Sequence, residues 1–273
     1  MKIARIFPRK TKASPDDKLA FFDSPGLFPP EVDEVHISTT FSYDMKKAEQ
    51  LIKAWNKIAP VKFGGPAYGY PSEDFIPGFY LKNGYVITSR GCPNKCSFCL
   101  VWRREGNIRE LPITDGWNIL DDNLLACSES HIRSVFAMLK KQPQRAEFTG
   151  GLEANRLKDW HIDLLVDLKP QQFFMAYDTP DDLEPLIIAG KKIREAGFRH
   201  HEPRCYVLIG YKADTFEQAE KRLRQAFAAG FLPMAMLYRN AKGETLYEWR
   251  KFQRLCARPV ITSKMCQSGT NQL

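Results

Sequence analysis

No run of apolar residues approaches the roughly 18 that a membrane-spanning helix needs, so a membrane-embedded chain is not expected. Residues 1–8 lack the apolar stretch and small-residue cleavage site of a secretion signal and read instead as a short strand. Cytoplasmic residence is the resulting expectation. There is no internal repeat and no low-complexity tract. Cysteine is missing before Cys92, and no second closely spaced group follows the first. Without a secretion signal, the seven cysteines argue for reduced thiols and against a disulfide framework.

What is present is ordinary in bulk. The 273 residues are 44% hydrophobic and 26% charged, as in folded globular chains. That length allows one large domain, or one domain with a small appendage, and a sizeable core. The net charge of +8 invites a nucleic-acid partner. The basic residues are spread along the whole chain, however, so charge leaves that partner undecided.

Strand and helix patterns organise the chain. A strand at 35–39, a helix with apolar positions Met45, Ala48, Leu51, Ile52 and Trp55, and a strand at 61–63 make one βαβ unit. Asp44 is placed to cap that helix. Residues 66–77 are rich in Gly, Pro and Tyr and read as a linker. Six strand–helix units then follow, with strands expected near 85–89, 117–120, 147–149, 173–177, 205–209 and 233–238. Gly197 and Gly230 stand where helix C-terminal caps belong. Six consecutive units imply a parallel sheet covered by helices, short of the eight that close a full barrel. The expected fold is α/β: a small, degenerate Rossmann-like N-terminal region at 1–76, a partial (β/α)6 TIM-like barrel at 77–256, and a tail at 257–273. In such sheets the site lies at the C-terminal ends of the strands, and the loop after the first barrel strand holds Cys92, Cys96 and Cys99.

These three are spaced C-x3-C-x2-C. Thiolates suit Fe–S clusters and zinc. An electron-transfer [4Fe–4S] cluster uses four cysteines; three leave one iron open, which is where a metal does chemistry. A structural zinc site needs a second pair of ligands. The adjacent His200 and His201 are about a hundred residues away and read as a polar surface turn.

The C-x3-C-x2-C motif, with aromatic Phe98 before its last cysteine and its place on the first barrel loop, resembles the radical S-adenosylmethionine (SAM) superfamily over roughly residues 80–250. The resemblance implies a [4Fe–4S] cluster on Cys92, Cys96 and Cys99. It implies SAM chelated to the open iron and cleaved reductively to a 5′-deoxyadenosyl radical. A flavodoxin- or ferredoxin-like protein would supply the electron. Gly150, Gly151 and Glu153 are similar to the family's Gly-Gly-Glu element for the SAM amino group, with Leu152 inserted. Phe98 would lie by the adenine, Asp178 by ribose or methionine, and Gly210 in the adenine platform. Read by themselves, Gly150 and Gly151 are also a strand-to-helix turn, Phe98 a core residue, Asp178 an N-cap and Gly210 a turn.

The 33–67 unit looks like a shortened cobalamin-binding domain. The string from Asp33 to His36 fails the lower-ligand pattern, so no cobalamin is expected and His36 reads as a strand residue. Cys127, Cys205, Cys256 and Cys266 read as isolated thiols. Arg90, Lys95, Arg103 and Arg104 flank the loop, either stabilising an anionic cluster or as solvated surface. Neither the substrate nor a hydrogen-donating residue is legible; an incomplete barrel, open at its side, admits a macromolecule. The alternatives to an enzyme are an inactive cluster-bearing binding or regulatory protein, and a basic nucleic-acid-binding protein with a structural metal.

Overall fold

The computed structural model describes residues 1–69, 75–240 and 242–256, together with 262 and 264. Most of the 257–273 segment, Cys266 included, lies outside them. The first sheet is built from β1 (Ile3–Ile6), β2 (Ala20–Phe21), β3 (Glu34–Ser38) and β4 (Val61–Gly64), with α1 (Met45–Trp55) between β3 and β4. All pairings are parallel, in the order β2-β1-β3-β4. Period-two alternation buries Val35 and Ile37 of β3, and helical spacing puts Ala48, Leu51 and Trp55 of α1 into the same small core. His36 faces the other side, held by Glu34 Oε2 at 2.9 Å and Tyr80 Oη at 2.7 Å. It is a strand residue, as expected. Asp44 stands at the N-cap of α1 but caps nothing with its side chain. Its carboxylate is taken by the Arg9 guanidinium at 2.7 and 2.8 Å, a bidentate charged pair that outcompetes a backbone N–H.

The second sheet holds β5 (Tyr85–Val86), β8 (Asn118–Ile119), β9 (Glu147–Phe148), β10 (Gln172–Tyr177), β11 (Pro203–Ile209) and β12 (Leu232–Leu237). A separate antiparallel pair, β6 (Ser89–Arg90) with β7 (Arg109–Glu110), branches off after β5. The six strands are parallel and lie side by side in chain order. Helices α3 (Glu129–Lys140), α4 (Asp159–Leu168), α5 (Leu183–Glu195), α6 (Phe216–Ala228) and α7 (Tyr247–Cys256) follow successive strands from β8 on, while the short α2 (Val101–Arg104) sits in the cysteine loop. Local signals set the ends. Ser128 accepts from His131 N, Thr215 forms a capping box with Gln218, and Gly197 and Gly230 take φ of 85° and 101°.

The two faces of β10–β12 differ. Phe173, Met175, Tyr177, Cys205, Val207, Ile209 and Ala235 are buried in a core shared with α5 and α6. On the opposite face Ala176 and Met236 are exposed, and Tyr206 and Leu208 partly so. On that face Phe174, stacked on Tyr206, and Leu232 are buried, so it is covered at one end and open at Ala176 and Met236. Among the described residues, no helix is long and apolar enough to cross a membrane.

Helix α5 approaches the turn after α6 through Gly190, where an added Cβ would stand 1.8 Å from Ala229 O. Since backbone must move to admit it, Gly190→Ala is expected to cost about 1–3 kcal/mol. The readout is a lower urea midpoint at unchanged slope; an unchanged midpoint would contradict this packing.

Candidate functional site

Backbone pairing closes the cysteine loop at its base. Ser89 and Arg90 pair with Glu110 and Arg109 across β6 and β7, and Cys92 N donates to Gly106 O at 3.1 Å. Gly91, between them, has φ 87°, and a Cβ there would lie 2.2 Å from Asn107 O. Only glycine fits that position. Within the loop, Cys99 N and Trp102 Nε1 both donate to Cys96 O, at 3.1 and 3.0 Å.

Three consecutive side chains beyond β8 hold this loop from below. Asp121, 1% exposed, accepts from Thr88 N and Thr88 Oγ1 at 2.6 Å each and from Ser89 Oγ at 2.7 Å. Burial pushes its carboxyl pKa up, and those hydrogen bonds pull it back. Asp122 accepts from Gly91 N at 2.9 Å. Asn123 Nδ2 donates to Cys92 Sγ at 3.4 Å and to Glu153 Oε2 at 2.7 Å. Glu153 Oε2 also accepts from Arg156 Nε at 2.6 Å. None of these three residues stands out in the sequence, where Asp-Asp-Asn after a strand reads as loop punctuation.

The Gly-Gly-Leu-Glu element packs directly on this run. A Cβ at Gly150 would meet Asp121 O at 2.4 Å, whereas Gly151, at φ 101°, would meet only Phe174 O at 4.0 Å. Gly150 is required by the neighbouring backbone, and Gly151 by its own dihedral, with open space before it. Leu152, the inserted residue, is 2% exposed and joins the core, with its N–H bonded to Phe174 O at 2.7 Å. The insertion therefore plugs the sheet and still returns Glu153 to the cysteine loop.

The other expected positions gather on the opposite side of the loop. Phe98 meets Tyr211 edge-on at 5.8 Å, and Tyr211 Oη bonds Ser97 Oγ at 3.1 Å. Gly210, at φ 71°, donates its N–H to Asp214, whose carboxylate is paired with Arg222 at 2.7 Å. Beside them lies a cavity of about 330 Å³ lined by Asp178, Leu208, Tyr211, Asp214, Gln218 and Arg222. Asp178 is not the N-cap of the following helical turn; Thr179 is. Burial raises the Asp178 carboxyl to about 7, with Asp182 adding to the shift and Arg222 opposing it.

Among the described residues, no three His, Cys, Asp or Glu side chains stand close enough together, as placed, to hold a metal ion. The three thiols still occupy one electrostatic neighbourhood. Burial first, then the fields of Cys99, Cys92 and Asp178, push the Cys96 thiol up to about 11. Burial and Cys92 likewise raise Cys99. Cys127 is raised by burial first and then by Asp121 and Glu110, not by the other thiols, and Cys205 and Cys256 are buried. Of the flanking cations, Arg104 is tied to Glu105 at 2.8 Å and Arg103 stacks on Trp102; Lys95 and Arg103 are exposed.

Because the folded Asp178 binds its proton more tightly than an ordinary carboxyl, its contribution to stability is full below about pH 4 and lost as pH rises through about 7. Asp178→Asn should therefore flatten the stability profile between those limits, measured as urea midpoint against pH. Parallel profiles for the two proteins would contradict the burial of this group. No protein-family model matches the chain, and no curated protein matches it, so the reading of this site rests on its residues.

Proposed function

We propose that this chain is a radical SAM enzyme whose Cys92, Cys96 and Cys99 hold a [4Fe–4S] cluster at the mouth of a partial (β/α)6 barrel. One observation carries the reading. Asn123 joins Cys92 to Glu153, so the cysteine loop and the Gly-Gly-Leu-Glu element, distant in sequence, share one hydrogen-bonded site. In chemistry the donor set fits the group, three soft thiols on one loop, whose side chains would have to turn together to share it. When bound, the cluster supplies the electron that reductively cleaves SAM and yields the 5′-deoxyadenosyl radical.

The chain's own residues do the rest. Glu153 offers a carboxylate to an ammonium, and Gly151 leaves room for close approach of a ligand. Tyr211 and Asp178 line the cavity, where an adenine and ribose would lie, with Phe98 packed on Tyr211 and Gly210 bonded to the lining residue Asp214. The partly open sheet face bearing Ala176, Tyr206, Leu208 and Met236 would become the barrel interior. Lys95 and Arg103, exposed on the cysteine loop, would meet an acidic electron donor of the flavodoxin or ferredoxin type.

One observation favours the non-catalytic alternative, a cluster-bearing binding or regulatory protein: Glu153 is already neutralised by Arg156 at 2.6 Å. Anaerobic loading with iron and sulfide, then dithionite and SAM, separates the two. The enzyme reading expects brown protein and 5′-deoxyadenosine, both lost in Cys96→Ala. An intact cluster that forms no 5′-deoxyadenosine would leave the binding role, and a colourless zinc protein neither.

A further inference from the structure

Among the described residues beside the cysteines, two buried polar atoms have no hydrogen-bond partner, the donor Arg90 Nε and the acceptor Asn123 Oδ1. Asn123 is 5% exposed, and its Oδ1 accepts no hydrogen bond. A buried carbonyl left without a donor is destabilising, and such orphans call for an explanation. Turning the amide over would not provide one. Its nitrogen faces the Glu153 carboxylate at 2.7 Å and the Cys92 sulfur at 3.4 Å, and an oxygen there would face two acceptors, one of them an anion. The orientation is therefore fixed by its neighbours, and the carbonyl is left over.

The surroundings say what would complete it. Only Oε2 of Glu153 is engaged, by Asn123 and Arg156; Oε1 accepts nothing among the described residues. A buried amide oxygen without a donor and a carboxylate oxygen on a side chain 21% exposed, open to a ligand or to solvent, thus belong to two side chains that touch each other. Gly151, two residues before Glu153, has open space before it. Two acceptors side by side, one of them charged, match a group with several N–H donors and a positive charge. That group is a primary ammonium, not a phosphate or a carboxylate.

We propose that Asn123 is a further ligand-binding residue of this site, fixing Cys92 and Glu153 through its N–H₂ and receiving the ammonium of an amino-acid-bearing ligand on its carbonyl oxygen. The inference rests on the reading of the site as one for SAM, and it assigns a contact that the cysteine and glycine motifs do not indicate.

The test compares two probes, SAM, which carries the amino-acid ammonium, and 5′-methylthioadenosine, which lacks it. Equilibrium dialysis of each is run against iron-loaded wild type and Asn123→Ala, with iron content measured on both. The proposal expects SAM to bind about tenfold or more weakly to the variant, with 5′-methylthioadenosine and iron unchanged. Equal losses for both probes, or no loss for either, would overturn it. If Asn123→Ala loses iron while wild type keeps it, Asn123 is only a tie for Cys92 and the ligand contact is overturned; Asn123→Ser, which still offers a hydroxyl oxygen, should then fail in the same way. Wild type that takes up no iron would instead sink the underlying reading of the site.

Discussion

The cysteine loop depends on one buried carboxylate. Asp121 takes three donors from Thr88 and Ser89, just where the chain leaves β5 and turns into β6. The loss of solvent around that carboxylate is offset only by those donors, so the residues before Gly91 have little freedom. Asp122 and Asn123 extend the same grip to Gly91 N and Cys92 Sγ. A loop that carries three thiols is otherwise surface chain; this one is fastened to the end of the adjacent strand.

Much of this architecture is legible in the amino-acid order. The six strands fall where β-rich runs alternate with helical spacing, and Gly197, Gly230 and Thr215 mark helix ends as their chemistry demands. The hidden parts share a physical cause, namely that their partners are far away in sequence. Asp121 bonds a residue 33 positions earlier, and nothing local in an Asp-Asp-Asn run announces that. Asp44 has the right type and place for a cap, yet Arg9, 35 residues earlier, takes its carboxylate. The β6–β7 pair is two residues a side and carries no alternation. Leu152 looked like a flaw in a glycine motif and is a core residue.

The same geometry explains how two motifs become one site. Glu153 lies beyond β9 and Cys92 beyond β5, two strands apart in the sheet. The strand between them, β8, is followed four residues on by Asn123, whose side chain spans the gap. Chain-order pairing of parallel strands delivers all three strand ends to one edge. Burial first, and then the neighbouring thiols, hold Cys96 and Cys99 in the protonated form there, a cost that a bound cation or iron cluster relieves. The N-terminal sheet contributes none of these groups. Tyr43, in the turn before α1, packs against Arg239, in the segment after β12, with the guanidinium 4.9 Å from its ring.

The central claim is that three thiolates share one iron–sulfur cluster with an iron left open to SAM. Mössbauer spectra of the iron-57-loaded protein, taken with and without SAM, test it most directly. The account predicts a cubane spectrum in which a single iron changes its signal when SAM is added. A spectrum unaltered by SAM, or iron that is not in a cubane at all, would contradict it.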